Sequence, residues 1–182
     1  MEFIWSGTMG KHLERNKLTT LEEAASIIED GSMVAVGGGL CLREPIAMLR
    51  ELIRQGKKDL HIVGTAHGFD MDLICGAGIV GTAQDTHVSF EQDFGLAPNY
   101  RRALESGKVV NKENCCNSII QQLRAGSYGI PFMPIMSAKG TEEILLHPEF
   151  KQMICPFTGK KLVLVPALIP DYAVVHVQKA DI

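Results

Sequence analysis

The segment that most constrains this chain is Asp30-Gly-Ser-Met-Val-Ala-Val-Gly-Gly-Gly-Leu-Cys-Leu-Arg-Glu-Pro45. Met33, Val34, Ala35 and Val36 read as a short buried strand, three glycines follow it, and Pro45 then opens an amphipathic stretch. Proline fits the first turn of a helix, where its missing N–H costs nothing. The glycines let the backbone take conformations closed to other residues, or let a ligand approach the main chain. The N–H groups that begin the following helix point back to this loop and suit an anionic or carbonyl-bearing ligand. A tight strand-to-helix turn with no ligand is the competing reading.

The same alternation continues along the chain. Thr20 and Glu23 form a capping box, after which Leu21, Ala24, Ala25 and Ile28 share one helical face. Ile46, Leu49, Leu52 and Ile53 mark the core face of the helix after Pro45, which Gly56 closes. Leu60–Val63 is a second strand, followed by a polar, flexible stretch over 64–68. A helical turn is predicted over 71–75, strands over 79–83 and 86–90, and helices over Pro98–Glu105 and 113–124. Late strands are predicted over 132–136, 162–165 and 173–177. Strands alternating with helices imply a layered α/β domain, mostly parallel pairing and ligands at the carboxyl ends of the strands. Residues 1–17 read as an N-terminal extension to one domain over 18–182. Only a few residues follow what looks like a core strand at 173–177, so a C-terminally truncated domain is expected.

A net charge of −3 offers no basic excess for phosphates, which argues against nucleic acid as a partner. The longest apolar runs are too short to span a membrane, and the first ten residues lack the basic start and apolar core of a signal peptide. The five cysteines are odd in number and form no CxxC, so reduced thiols in a cytoplasmic protein, without a metal site, are expected. Cys41 in the glycine loop reads either as a reactive thiol or as a small packing residue. A dinucleotide fingerprint fails, because the third glycine of G-x-G-x-x-G is absent and Val63-Gly-Thr65 supplies no ribose-binding acid. No GxxxxGK[ST] occurs either.

With those readings set aside, the segment 30–45 resembles the alpha-subunit motif of the family I coenzyme A transferases. Asp30, Gly31, Val34, Ala35, Val36, Gly37, Gly38 and Pro45 stand at that motif's spacing. Gly39 replaces its usual aromatic residue, and Arg43 replaces a common glycine, as in the glutaconate CoA-transferase branch. Residues 68–78, 129–134 and 162–180 are similar to the same branch. Ser89-Phe-Glu-Gln-Asp-Phe-Gly-Leu-Ala-Pro-Asn-Tyr-Arg-Arg102 is similar to the alpha subunits of steroid-ring-opening CoA hydrolases, the IpdA-like group.

The resemblance implies the fold shared with ribose-5-phosphate isomerase and glucosamine-6-phosphate deaminase. It also implies coenzyme A as a substrate rather than a tightly bound cofactor, and a beta-subunit partner. That partner would carry the transferase's nucleophilic glutamate, and acyl-CoA and carboxylic acid substrates would meet at the interface. Within this chain the resemblance points to Glu91 as a catalytic base, its pKa raised between phenylalanines. A capping or salt-bridged surface carboxylate is the alternative for Glu91. Gly37, Gly38, Gly39, Ser89, Phe90 and Arg102 are the implied substrate- or CoA-binding residues. His67 and His87 each follow a strand and read as pocket-lining or as satisfied structural histidines. Asp70 and Asp72 read as caps of the helix they precede or begin. Transferase is the leading expectation; hydrolysis of a cyclic β-keto acyl-CoA and a non-catalytic scaffolding role are the alternatives.

Overall fold

A computed structural model describes residues 17–90 and 95–180. The first helix, α1 (Leu21–Ser26), starts at the Thr20–Glu23 capping box, with both reciprocal hydrogen bonds made. Strand β1 (Met33–Val36) leads through the glycines into α2 (Ile46–Arg54), and β2 (Leu60–Val63) leads into β3 (Ala66–His67) and α3 (Phe69–Ala77). Then come β4 (Val80–Gln84), β5 (His87–Val88), α4 (Pro98–Glu105), β6 (Val110–Asn111) and α5 (Cys116–Tyr128). The chain finishes with β7 (Phe132–Ile135), α6 (Glu143–Leu146), β8 (Lys151–Ile154), β9 (Lys161–Pro166) and β10 (Tyr172–Val174).

The main sheet is all parallel, in the order β10-β1-β2-β4-β6, so the alternating pattern of strands and helices is realised. Val34, Leu49, Leu52, Leu60, Ile62, Met71 and Ile74 fill its core. Each comes from an apolar position of a short strand or from one face of α2 or α3. The order puts the carboxyl ends of β1, β2 and β4 side by side, which is where the glycine loop and the segment leading to β3 leave the sheet.

Three expectations need correction. The strand expected over 86–90 is only His87–Val88, and it pairs with β3 in a separate parallel ribbon instead of joining the sheet. Two of the three late strands do not extend the parallel sheet: β7, β9 and the additional strand β8 form an antiparallel sheet of their own. The connection from β8 to β9 is the short turn 155–160, closed by hydrogen bonds from Cys155 N–H to Lys160 O and from Gly159 N–H to Cys155 O. A parallel crossover needs a much longer connection, so this turn dictates antiparallel pairing. Finally, β10 is an edge strand with Ala173 exposed, not the core strand its apolar run suggests. The small sheet keeps its own core of Ile135, Ala138, Phe150, Val163 and Val165, packed beneath α5.

Candidate functional site

The three glycines have three different reasons to be glycine. Gly37 still donates its N–H to Val174 O of β10, and a Cβ there would press on the Val175 side chain. Gly38 has φ +142, a conformation that side chains rarely adopt, and sits tight against the backbone of Arg43 and Glu44. Gly39 alone faces open space: nothing stands within 4 Å of where its Cβ would be. Gly39 and Leu42 close the loop by exchanging hydrogen bonds, while Leu40 N–H reaches across to Ala66 O of β3. Leu40 and Arg43 both hold positive φ values, of 52° and 55°, so the loop is strained and depends on its surroundings to keep its shape.

Of the three glycine N–H groups, those of Gly37 and Gly39 are spent on these bonds. The Gly38 N–H is left for a ligand. Gly38 itself lines a cleft of about 370 Å³, together with Gly37, Gly39, Leu42, Arg43 and His176. Gly39→Ala is expected to change the urea midpoint little, because the added methyl group meets no neighbouring atom. A clear fall in the midpoint would mean that the position is packed rather than open.

Behind the loop lies a group of buried ionisable residues. His67 is 2% exposed and donates from Nδ1 to Asp70 Oδ2 at 2.7 Å. Asp70 also accepts from the Gly68 and Met71 N–H groups at 2.9 and 2.7 Å. Burial opposes a charged imidazole, but the Asp70 hydrogen bond and the carboxylates of Asp70, Asp85 and Glu44 outweigh it and raise the His67 pKa. Burial likewise opposes an Asp70 carboxylate, yet the bond and charge of His67 hold its pKa below the ordinary value. Glu44, in the glycine loop itself, is 7% exposed. Burial first, and then the neighbouring Asp70 carboxyl, push its pKa up to about 7. Asp85 is raised by burial and receives the Tyr100 hydroxyl at 3.1 Å.

The structure sorts the residues singled out from sequence. Ser89 is buried, its N–H bonded to His67 O and its Oγ to His87 Nε2 at 2.8 Å. Phe90 is half-buried and closes onto Gly95 O through its N–H. Gly68 brings Ser89 and the glycine loop together, because Leu40 O and Ser89 O both crowd the place of a Gly68 Cβ, at 2.5 and 3.0 Å. Arg102 is not in this group: it is exposed on α4, bonds to Asn99, and lines a different cleft with Cys75, Gly76 and Lys108. Glu91 lies outside the described residues. His87 is exposed, whereas His67 is buried among carboxylates.

Asp72 does not cap its own helix. It accepts from Asn99 N–H, Asn99 Nδ2 and Tyr100 N–H, and so caps α4 from 27 residues away. Sequence reasoning misses Glu44 and the Glu44–Asp70–His67 arrangement. The one signal for it is an acidic residue set directly before a helix-opening proline in an otherwise apolar, glycine-rich turn.

Comparison with known proteins agrees with this fold. Residues 18–182 match the Coenzyme A transferase family. The chain is 36% identical over 171 residues to one subunit of the 3-oxoadipate CoA-transferase of Pseudomonas knackmussii, covering 91% of this chain and 59% of that one. It is 29% identical over 174 residues to the cholesterol ring-cleaving hydrolase IpdA subunit of Rhodococcus jostii, covering 92% of this chain and 58% of the relative. The crystal structure of glutaconate coenzyme A-transferase from Acidaminococcus fermentans superposes with a TM-score of 0.81 at 28% identity, over 90% of this chain and 57% of that chain. The chain thus spans rather less than three-fifths of the length of these proteins. With a glycine loop at the carboxyl ends of a parallel sheet and a match over nearly all described residues, the chain belongs to the coenzyme A transferase family.

Proposed function

We propose that this chain forms the alpha side of an enzyme that moves coenzyme A between carboxylic acids, working with a beta-type partner. The observation that carries this reading is the loop of Gly37, Gly38 and Gly39. It lines a cleft at the strand ends, with one backbone donor that no protein group accepts and one position open to space, within a chain of this family.

The chemistry asks little else of this side. A carboxylate oxygen, supplied by the partner, attacks the thioester carbonyl; the C–S bond breaks and leaves a mixed anhydride and CoA thiolate. The thiolate then attacks the enzyme's half of the anhydride, freeing the first acid and leaving CoA as an enzyme thioester. An acceptor acid reverses both steps. Each addition places negative charge on a former carbonyl oxygen, and the unspent Gly38 N–H is suited to stabilise it. Arg43 and His176 at the cleft's rim add positive or protonatable groups for anionic parts of the substrate.

The second reading, hydrolysis of a β-keto acyl-CoA, is favoured by the similarity of residues 89–102 to the ring-cleaving hydrolases. In it Glu91 acts as the base that activates water. The test is co-expression with a candidate beta-type partner subunit. CoA exchange between acetate and an acyl-CoA supports the transferase; loss of a β-keto acyl-CoA in water without an acceptor acid supports the hydrolase. Neither activity in the purified complex supports a scaffolding role. Glu91→Gln is expected to lower kcat by about 10²–10⁴-fold if it is the base. A kcat near wild type removes it from the chemistry.

No helix among the described residues is long and apolar enough to cross a membrane.

A further inference from the structure

Glu44 is the one buried carboxyl group, among the described residues, that joins the glycine loop to the rest of the strand ends. Its Oε1 is buried and has no hydrogen-bond partner. The carboxyl group lies against Asp70 and the Gly68 and Asp70 N–H groups at the start of α3. That helix has Gly68 at its N-cap and no side-chain cap of its own. On the other side, His176 Nδ1 reaches Glu44 O at 3.3 Å from the segment after β10. The residue also backs the tightest point of the loop, since a Cβ at Gly38 would meet Glu44 Cα at 3.2 Å.

We propose that Glu44 is a positioning residue of the acyl-CoA site, its buried carboxyl group clasping the Asp70–His67 pair and so fixing the glycine loop against the β3–β5 strands. The proposal rests on the reading of that loop as the substrate site. The loop needs such a clasp, because Leu40 and Arg43 hold strained conformations that the loop's own two hydrogen bonds do not account for. The groups around Glu44 are Asp70 from α3 and His67 from β3, with His176 after β10 at the Glu44 carbonyl oxygen; Asp85, just past β4, acts on His67. Among the described residues none forms an ion pair with Glu44, so its neutral form is the one that fits beside the Asp70 carboxylate.

The direction of the pH effect follows. In the clasped loop Glu44 ionises near 7; in an opened, solvated loop it would ionise near its ordinary 4.5. A group whose pKa is raised in the closed form stabilises that form below the lower value, and the effect is lost as pH rises towards the upper one. The clasp is therefore strong at pH 5 and weak above pH 7.

Hydrogen exchange of the full chain tests this without any substrate, so its outcome is independent of whether the enzyme is a transferase. After correction for intrinsic rates, protection of the Gly39, Leu40 and Leu42 amides is expected to fall about tenfold or more between pH 5.5 and 8. In Glu44→Gln, which cannot ionise, that protection should stay level across the range. In Glu44→Ala it should be low throughout, while the core amides of Ile62 and Leu52 keep their wild-type protection. Should Glu44→Ala fail to fold, the comparison of wild type with Glu44→Gln decides alone. Loop protection that does not vary with pH in the wild type, or that varies equally in Glu44→Gln, overturns the proposal.

Discussion

Gly68→Ala is expected to lower stability by about 3 kcal/mol and to abolish the site. The added Cβ would lie 2.5 Å from Leu40 O and 2.9 Å from Leu40 C on one side, and 3.0 Å from Ser89 O on the other. All three are backbone atoms, so no side chain can swing away to relieve the contact. The glycine loop and the strand leading to Ser89 must separate, and the Leu40 N–H to Ala66 O bond is the first to be lost. Urea denaturation should show a lower midpoint with an unchanged slope. Gly78→Ala is a useful contrast, because a Cβ there meets nothing within 4 Å although its φ of +74 is strained. That variant should lose stability without moving the loop. A midpoint for Gly68→Ala within experimental error of wild type would refute the close approach.

Asp70→Ala is expected to cost about 3–5 kcal/mol, the usual loss when one member of a buried pair is removed. The change strips the acceptor from three buried donors: His67 Nδ1 and the Gly68 and Met71 N–H groups. It also leaves His67 with both ring nitrogens unpaired, since Nε2 already has no partner. The two members set the pH window. Asp70 has a lowered pKa, so its contribution is present above the ordinary 3.8 and is lost as pH falls through the depressed value. His67 has a raised pKa, so its contribution is present below the ordinary 6.5 and is lost as pH rises through the raised value. The deficit of the variant should therefore be largest between about pH 4 and 6.5 and should shrink on either side. The Glu44 pKa should also drop, because the carboxylate that opposes its ionisation is gone. Chemical denaturation across pH 4 to 9 measures the first effect. A deficit independent of pH would mean that His67 and Asp70 are not an ion pair.

These two variants lie in the part of the molecule that is hardest to read from sequence. The capping box at Thr20, the strands Met33–Val36 and Leu60–Val63 and the helix Pro98–Glu105 stand out because each is specified by residues within a few positions of one another. The glycine loop is also visible, though not the division of labour within it. An apolar run cannot say which neighbour will accept its hydrogen bonds, so the strand around His87 is legible while its pairing with β3 is not. Asp72 has the sequence position of a local cap, but the unpaired N–H groups it meets are those of Asn99 and Tyr100. Similarity of its segment puts Arg102 with the loop, and α4 carries it to another cleft.

The sequence by itself determined many of the short helices and strands, the parallel pairing of the α/β half and the glycine turn at its centre. Periodicity, capping and proline or glycine stereochemistry act over a few residues and need no partner elsewhere. Tertiary structure alone decided that Glu44, His67, Asp70 and Asp85 would be buried together at the mouth of that turn. Their protonation depends on desolvation and on charges brought close from segments up to 41 residues apart. No local pattern encodes that sum, so the glycine loop can be found by reading the chain, and the carboxyl group that holds it cannot.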